Sequence, residues 1–197
     1  MKQFDRTKLR IKPLAERDSK SNLSIIIDPD SPPPEISQEQ FSRLESIASS
    51  MKLAREKDAP VVFAFGAHLV KNGLSRIMIE LMRKGYVQHI LANEAVVIHD
   101  WELVFHGKTE EDVRRYVAQG QFGLWETGEH IGTALTLGAQ NNLGYGESIG
   151  KLISESSYPY KEISVLGEAY RLQIPFSVGV TLGQNITHTH PNFDFES

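Results

Sequence analysis

A strand–helix–strand segment at residues 61–92 constrains the fold more than any other part of this sequence. Residues 61–65 form a continuous apolar run between Pro60 and Gly66, which is typical of a parallel strand buried on both faces. Residues 86–92 form a second run, and the 32 residues from 61 to 92 match the length of a right-handed βαβ crossover. The helix between the runs is predicted from apolar positions at helical spacing, which are Val70, Leu74, Ile77, Met78, Leu81 and Met82.

The rest of the chain extends this α/β pattern. Ser37 and Gln40 have capping-box spacing and predict a helix over residues 37–57. Its apolar positions fall on one face and are Phe41, Leu44, Ile47, Ala48 and Met51. A third buried strand is predicted over residues 174–180, and residues 23–27 could add a fourth. Further helices are predicted over residues 93–104, 109–118 and 162–172.

These elements predict a Rossmann-like α/β fold, a three-layer sandwich with a mostly parallel sheet, over residues 36–197. Residues 1–35 are predicted to be a solvated N-terminal arm followed by a proline-rich loop. Three strong strands make a thin sheet for this class. We therefore expect a domain that is incomplete at its C-terminus, or one that another subunit completes.

Composition narrows the functional classes. The net charge is −4, from 21 basic and 25 acidic residues, and without a basic face the sequence does not favour a nucleic-acid partner. The chain has no cysteine, which excludes disulfides, thiolate metal sites and a cysteine nucleophile. No apolar run is long enough to span a bilayer or to act as a signal peptide, so we expect a soluble cytoplasmic protein without a membrane partner.

The second predicted strand ends in polar residues, in the segment LANEAVVIHDWE at residues 91–102. Ligands of parallel α/β sheets bind outside the carboxyl ends of the strands. Such side chains could bind an amine, hydrogen-bond a ribose or relay a proton, and the alternative is helix capping and a solvated helix face. The candidates at this edge are Asn93 and Glu94 in the turn and His99, Asp100, Glu102 and His106 on the helix.

The ends of the first and third predicted strands give weaker indications of a binding site. Gly66, Ala67 and His68 form the turn that would face a pyrophosphate in a nucleotide-binding unit, although they do not make a G-x-G-x-x-G motif. Thr181 and Gly183 follow the third strand. With Asn93, these residues are the candidate contacts for a cofactor.

Two histidine-containing segments have alternatives that stay open. His188 and His190 would share a face of an extended segment and could ligate a metal with His99 or Asp100, but their spacing is not diagnostic and ligand contact is favoured. We therefore assign no metal. Residues 125–130 hold Glu126, Glu129 and His130, where an acid-rich helix start is favoured over a substrate site.

The run from Gly66 to Glu102 resembles the LOR/SDH domain family, which has the deoxyhypusine-synthase-like NAD/FAD-binding fold and is related to archaeal-type NAD-dependent ornithine cyclodeaminases. The order of a small-residue turn, an amphipathic helix, GYV and then ANEAVVIHDWE is similar to that of the family, whose last motif reads LAGNALAVHDIE. Glu94 stands where the family has an asparagine, and the lysine of deoxyhypusine synthase has no counterpart. The resemblance implies bound NAD and a homo-oligomer.

The resemblance implies NAD-dependent oxidation or cyclodeamination of a small amine or amino acid similar to ornithine. Such a site needs carboxylates for the ammonium group, for which Glu94, Asp100 and Glu102 are candidates, and a base, for which His99 is the candidate. One alternative is a non-catalytic or truncated nucleotide-binding or oligomerisation domain. The other is a metal-dependent hydrolase that uses His99, His188 and His190.

Overall fold

The computed structural model describes residues 5–194. Within this part of the chain, strands and helices alternate over most of the length, and short 3-10 turns lie between them. The strands are β1 (Ser19–Asn22), β2 (Val62–Phe65), β3 (His89–Asn93), β4 (Lys108–Glu111) and β5 (Phe176–Gly179). The helices are α1 (Gln38–Glu56), α2 (His68–Lys71), α3 (Ser75–Arg83), α4 (Glu94–His106), α5 (Val113–Ala118), α6 (Glu126–Gln140), α7 (Tyr145–Glu155) and α8 (Val165–Arg171).

The three strong strands form one parallel sheet in the order β2–β3–β5. Val62 pairs with His89, and Asn93 at the end of β3 pairs with Gly179 at the end of β5. The predicted βαβ unit and the Rossmann-like α/β class with a parallel sheet are therefore confirmed. The carboxyl ends of all three strands lie at one edge of the sheet.

The crossover contains two helices, α2 and α3, where the sequence predicted one. The chain breaks at Gly73, whose φ is +79° and whose carbonyl accepts a hydrogen bond from the Ile27 amide at 2.9 Å. A Cβ atom at this glycine would lie 1.8 Å from the Ile25 carbonyl oxygen. The break allows residues 25–27 to pack against the crossover, which a continuous helix would prevent.

Helices α3, α4, α7 and α8 pack with one face of the sheet into the core. The opposite face carries exposed apolar side chains, with Val62 57% exposed and Leu91 45% exposed. The prediction that these strands are buried on both faces is wrong for the described residues. Burial alternates along β3, so consecutive side chains point to the core and away from it.

The capping box at the start of α1 is confirmed, because Ser37 Oγ accepts from the Gln40 amide at 3.2 Å and Gln40 Oε1 accepts from the Ser37 amide at 2.9 Å. No residue of α1 is buried, and its predicted apolar face is exposed. Phe41 is 47% exposed and Ile47 is 57% exposed. The stripe was correctly identified as a helical face, but among the described residues only Met51 of this stripe is half-buried and its other members are exposed.

The N-terminal arm is packed against the fold, where the sequence predicted a solvated segment. β1 pairs antiparallel with β4, and the Leu14 and Arg17 side chains are buried. Residues 23–27 do not join the parallel sheet, since Leu23–Ile25 is a 3-10 turn. The helix predicted over residues 109–118 begins later, as α5, because its first residues belong to β4.

No helix within residues 5–194 combines the length and the apolar character needed to cross a membrane.

Candidate functional site

A cavity of about 410 Å³ opens at the carboxyl ends of β3 and β5. The start of α4 forms its floor, the β1–β4 ribbon forms one wall, and residues 179–186 form another. This is the edge at which parallel α/β proteins bind ligands. The lining includes Asn93, Glu94, His99, Glu102, Thr181 and Asn185.

His99 is held in one protonation state and one tautomer. The Thr109 hydroxyl donates its proton to Glu102 Oε2 at 2.7 Å, so its lone pair accepts from His99 Nδ1–H, also at 2.7 Å. The lone pair of the neutral ring therefore lies on Nε2. Burial lowers the pKa of His99 to about 4, although the nearby Glu102 opposes the shift. Near pH 7 the ring is an unprotonated base at the wall of the cavity.

Glu102 is fully engaged inside the protein. Arg17 makes two hydrogen bonds to its two carboxylate oxygens, at 2.7 and 2.6 Å, and Thr109 and Thr127 donate at 2.7 and 2.9 Å. The side chains of Arg17 and Glu102 are each only 1% exposed. Arg17 therefore offsets the charge of Glu102. The carboxylate oxygens that were predicted to bind a substrate ammonium group instead accept hydrogen bonds from Arg17 and the two threonines.

Glu94, at the first position of α4, has a histidine and no lysine or arginine as its ion-pair partner among the described residues. Its Oε1 accepts from His188 Nε2 at 2.8 Å, and His188 Nδ1 accepts from the Gly183 amide at 3.0 Å. Within residues 5–194, no lysine or arginine forms an ion pair with Glu94. The nearby carboxylate adds to burial in raising the pKa of Tyr145, so the phenol stays protonated.

Basic side chains line the same cavity near the β1–β4 ribbon. Lys71 Nζ lies 3.0 Å from Glu110 Oε1, and Lys20 Nζ lies 3.6 Å from Asp112 Oδ2. Both lysines are at least partly exposed, so their remaining N–H groups can reach a ligand. The cavity thus offers an acceptor at Glu94, a base at His99 and donors at the two lysines.

Asp100 lies outside the cavity, which corrects its predicted catalytic role. Its carboxylate accepts from the Ser164 hydroxyl at 2.6 Å and from the amides of Val165 and Leu166 at 3.0 and 3.2 Å. These are the first amides of α8, which otherwise would lack acceptors. Burial raises the pKa of Asp100 to about 6, and the three hydrogen bonds oppose the shift. Asp100 joins α4 to α8 and has no open face for a substrate.

The predicted cofactor contacts are only partly brought together. Asn93 and Thr181 line the cavity, whereas Gly66, Ala67 and His68 are not part of its lining. Asn93 Nδ2 would lie 3.6 Å from a Cβ atom at Gly66, so the two strand ends adjoin. Gly183 does not line the cavity but positions His188 through its amide.

The histidines of the metal-hydrolase alternative have separate partners. His188 lies in a 3-10 turn, Ile186–Thr189, and not in an extended segment. His190 Nε2 donates to the Gly123 carbonyl at 2.9 Å, and burial lowers the pKa of His190. Within residues 5–194, no three histidine, aspartate or glutamate side chains lie together in a group that could hold a metal ion.

The segment at residues 125–130 begins α6, in agreement with the favoured interpretation. Glu126 Oε1 accepts from the Leu14 amide at 2.5 Å, and the His130 ring stacks on Trp101 with centroids 4.9 Å apart. The first contact joins the arm to α6, and the second joins α6 to α4.

Sequence reasoning missed several residues of the site, among them Arg17, Thr109 and Lys71. Arg17 lies in a polar arm, and Thr109 lies in a segment predicted to be helical. Lys71 belongs to the crossover helix, where an isolated lysine gives no signal. Arg17 and Lys71 acquire their places through contacts with residues distant in the sequence, Glu102 and Glu110, and Thr109 does so through the pairing of β4 with β1.

Comparison with known proteins supports the fold. A family model described as "Arginine dihydrolase ArgZ-like, C-terminal, Rossmann fold" matches residues 45–121, a range that holds β2, β3 and α4. No curated protein matches the chain.

Three solved structures are similar. The apo structure of ArgZ, an arginine dihydrolase from the ornithine-ammonia cycle in cyanobacteria, has 19% identity and a TM-score of 0.51 over 82% of this chain and 21% of its own. A mutant of AgrE in complex with L-arginine has 19% identity and a TM-score of 0.54 over 83% of this chain and 22% of its own. A LOR/SDH protein from Methanococcus maripaludis S2 has 15% identity and a TM-score of 0.48 over 81% of this chain and 46% of its own.

The chain therefore has a Rossmann-type fold related to that of ArgZ and AgrE, and it spans about a fifth of their length.

Proposed function

We propose that the cavity binds a small amine or amino acid and that the protein oxidises or cyclodeaminates it with NAD. The observation that carries the proposal is the pairing, in one cavity, of a carboxylate without a strong cation beside it and a neutral imidazole. An ammonium substrate needs an acceptor with negative charge, and loss of hydride from its carbon requires that the nitrogen first lose a proton. Glu94 supplies the first function and His99 the second.

The two lysines at the β1–β4 side support an amino acid in particular, as their ammonium groups can reach a carboxylate beyond their partners Glu110 and Asp112. Lys71 and Lys20 lie at the β1–β4 side of the cavity, while Glu94 lies at the start of α4. A zwitterion that places its carboxylate toward the lysines would direct an amine to Glu94. The volume of about 410 Å³ lies within the range of roughly 300–1,000 Å³ that is usual for small-molecule sites. The relatives add support, since ArgZ is an arginine dihydrolase and the AgrE complex contains L-arginine.

Open space at the strand ends supports the nicotinamide part of this proposal. Gly179 lines the cavity, and a Cβ atom there would meet only the Ala92 carbonyl oxygen at 3.7 Å, so the strand end leaves open space. Asn93 and Thr181 would hold this portion, and the turn of Gly66, Ala67 and His68 would receive the phosphates on the adjacent strand end. Bound NAD would supply the hydride acceptor.

The chain's own residues carry the remaining steps. Glu94 holds the ammonium group, and His99 Nε2 takes the proton that must leave nitrogen. The hydrogen bonds from His99 to Thr109 and from Thr109 to Glu102 keep the imidazole in the tautomer whose Nε2 carries the lone pair. Phe122 and Ile186 contribute apolar surface to the cavity and reduce access of water to this proton transfer.

The test uses the full chain with NAD and L-ornithine. We expect a calorimetric signal for NAD binding, NADH fluorescence that depends on L-ornithine, and loss of turnover by about 100-fold or more in His99→Gln. His89→Gln is the matched control, because His89 hydrogen-bonds Ser177 and does not line the cavity. A folded wild-type protein that binds neither NAD nor L-ornithine would refute the proposal.

A second candidate is a non-catalytic domain that acts within a larger assembly. It is favoured by the exposed apolar residues on the sheet face and on α1. Binding of NAD without any NADH formation from L-ornithine, L-arginine or L-lysine would select this candidate.

A further inference from the structure

We propose that His188 is a positioning residue for Glu94, whose carboxylate it orients at the cavity through an N–H group so that the carboxylate can receive a substrate cation. The proposal rests on the proposed function, in which Glu94 receives the ammonium group. It adds the residue that orients the carboxylate and the tautomer in which that residue acts.

The tautomer follows from the two partners of the ring. The Gly183 backbone N–H can only donate, and it lies 3.0 Å from His188 Nδ1, so Nδ1 must carry a lone pair. The proton is therefore on Nε2, which donates to Glu94 Oε1 at 2.8 Å. A second proton on Nδ1 would face the Gly183 N–H and would have no acceptor. The geometry thus disfavours the doubly protonated, cationic ring.

A neutral donor orients a carboxylate without neutralising it. The two acids that line the cavity around α4 show the difference, because Glu102 is paired with the Arg17 guanidinium whereas Glu94 has only imidazole beside it among its described ion-pair partners. A buried carboxylate needs hydrogen-bond donors to offset its lost hydration. His188 offsets part of this cost with a hydrogen bond, whereas Arg17 also brings a formal positive charge to Glu102.

The ring itself is firmly held. Asn185 Oδ1 accepts from the Thr187 amide at 3.0 Å and caps the turn that carries His188. The Phe193 ring lies against the imidazole, with centroids 4.6 Å apart and an interplanar angle of 50°. Arg6 Nη1 donates to the carbonyl of His188 at 3.5 Å and to that of His190 at 3.1 Å. A donor fixed in this way restricts the rotamers of the Glu94 side chain.

The decisive comparison is between His188→Gln and His188→Leu. Glutamine keeps an N–H donor near the position of Nε2, whereas leucine fills a similar volume without a donor. With the full chain and L-ornithine as the calorimetric probe, we expect His188→Leu to weaken binding by about tenfold or more, because a hydrogen bond to a charged group is lost. His188→Gln should stay within about threefold of wild type, and His89→Leu should bind as wild type does.

Circular dichroism establishes that each variant is folded. Wild-type affinity in folded His188→Leu would overturn the proposal, as would a folded His188→Gln that binds as weakly as His188→Leu.

A second measurement needs no ligand. In protein labelled with ¹⁵N-histidine, His188 is assigned through the loss of its signals in His188→Gln, and we expect a neutral ring with the proton on Nε2 at pH 7. The Nε2 proton should shift in Glu94→Gln, because its acceptor changes from a carboxylate to an amide. A proton on Nδ1, or a doubly protonated ring, would overturn the proposal. If wild type does not bind L-ornithine while the expected tautomer and shift are observed, the proposed function fails and the positioning of Glu94 by His188 stands.

Discussion

The buried ion pair of Arg17 and Glu102 allows a sharp test of how much a buried charge pair contributes to stability. The exposed pair of Arg43 and Glu39 in the same chain serves for comparison. Arg17 Nη2 and Glu102 Oε2 are 2.6 Å apart with side chains 1% exposed, and Arg43 Nη2 and Glu39 Oε1 are also 2.6 Å apart with side chains 75% exposed. The closest distances are equal, whereas Glu102 is buried and also accepts a second hydrogen bond from Arg17 and one each from Thr109 and Thr127. The substitution of glutamate by glutamine in each pair therefore compares a buried, fully hydrogen-bonded pair with an exposed pair that has a single hydrogen bond.

We expect Glu102→Gln to lower the free energy of unfolding by about 3–5 kcal/mol, because the buried guanidinium of Arg17 loses its counter-charge. The new amide also places an N–H₂ group where the carboxylate accepted hydrogen bonds from Thr109 or Thr127. Glu39→Gln should change the free energy by no more than about 0.5 kcal/mol, since an exposed pair of this kind contributes little.

Urea unfolding followed by circular dichroism measures both changes, at low and at high salt. Salt should reduce the small effect of Glu39→Gln and leave that of Glu102→Gln largely intact, because a buried pair is poorly screened. The double variant Arg17→Met with Glu102→Gln should recover part of the loss, since it removes the unpaired charge. Equal destabilisation by the two single variants, to within about 1 kcal/mol, would refute this account of the buried pair.

Three further predictions follow from single features of the fold. Burial lowers the pKa of His99 to about 4, against about 6.5 in the unfolded chain, so its contribution to stability should be constant above pH 6.5 and should fall by up to roughly 3 kcal/mol as the pH drops toward 4. The pKa shifts of Asp100, His106 and His190 persist in His99→Gln, so urea unfolding should show that this variant removes only the His99 contribution, and a pH profile identical to that of wild type would contradict it. Asp100→Asn should cost about 1–3 kcal/mol by thermal or urea unfolding, because its amide cannot satisfy all three donors at the start of α8; a neutral effect would show that the cap is dispensable. Gly73→Ala should destabilise by more than Gly120→Ala, a matched glycine of positive φ with open space around it; equal losses would mean that Ile25 moves away freely.

The parallel core of the fold could be predicted because its signals are local. The apolar runs of β2 and β3 and the stop at Gly85 all lie within the segment that they define. The break at Gly73 could not be predicted in the same way, because it depends on the backbone of Ile25, far away in the sequence. Apolar content also could not show that one side of the sheet is exposed, since Val62 and Leu91 have the same character as residues in the core.

The candidate site was predicted from one strand end, and the structure explains why this gave only part of it. Glu94 and His99 follow β3 directly, so position in the sequence located them. Asp100 has the same local signal but points to α8, because adjacent helical residues lie about 100° apart around the axis. Arg17 carried no signal, since its only distinguishing feature is a partner 85 residues away.

The packed arm has a consequence for the order in which the molecule assembles. The Leu14 amide meets Glu126 across 112 residues, and Arg17 meets Glu102 across 85. During synthesis the arm emerges before α4 and α6, so it lacks its partners Glu102 and Glu126 until both helices have been made. Closing such long loops costs chain entropy, and the contacts that offset this cost form only once the loop is closed. We therefore expect the arm to pack against the fold late in folding. A chain whose arm has come loose would retain its parallel sheet and lose the anchor of Glu102, and with it the order around His99.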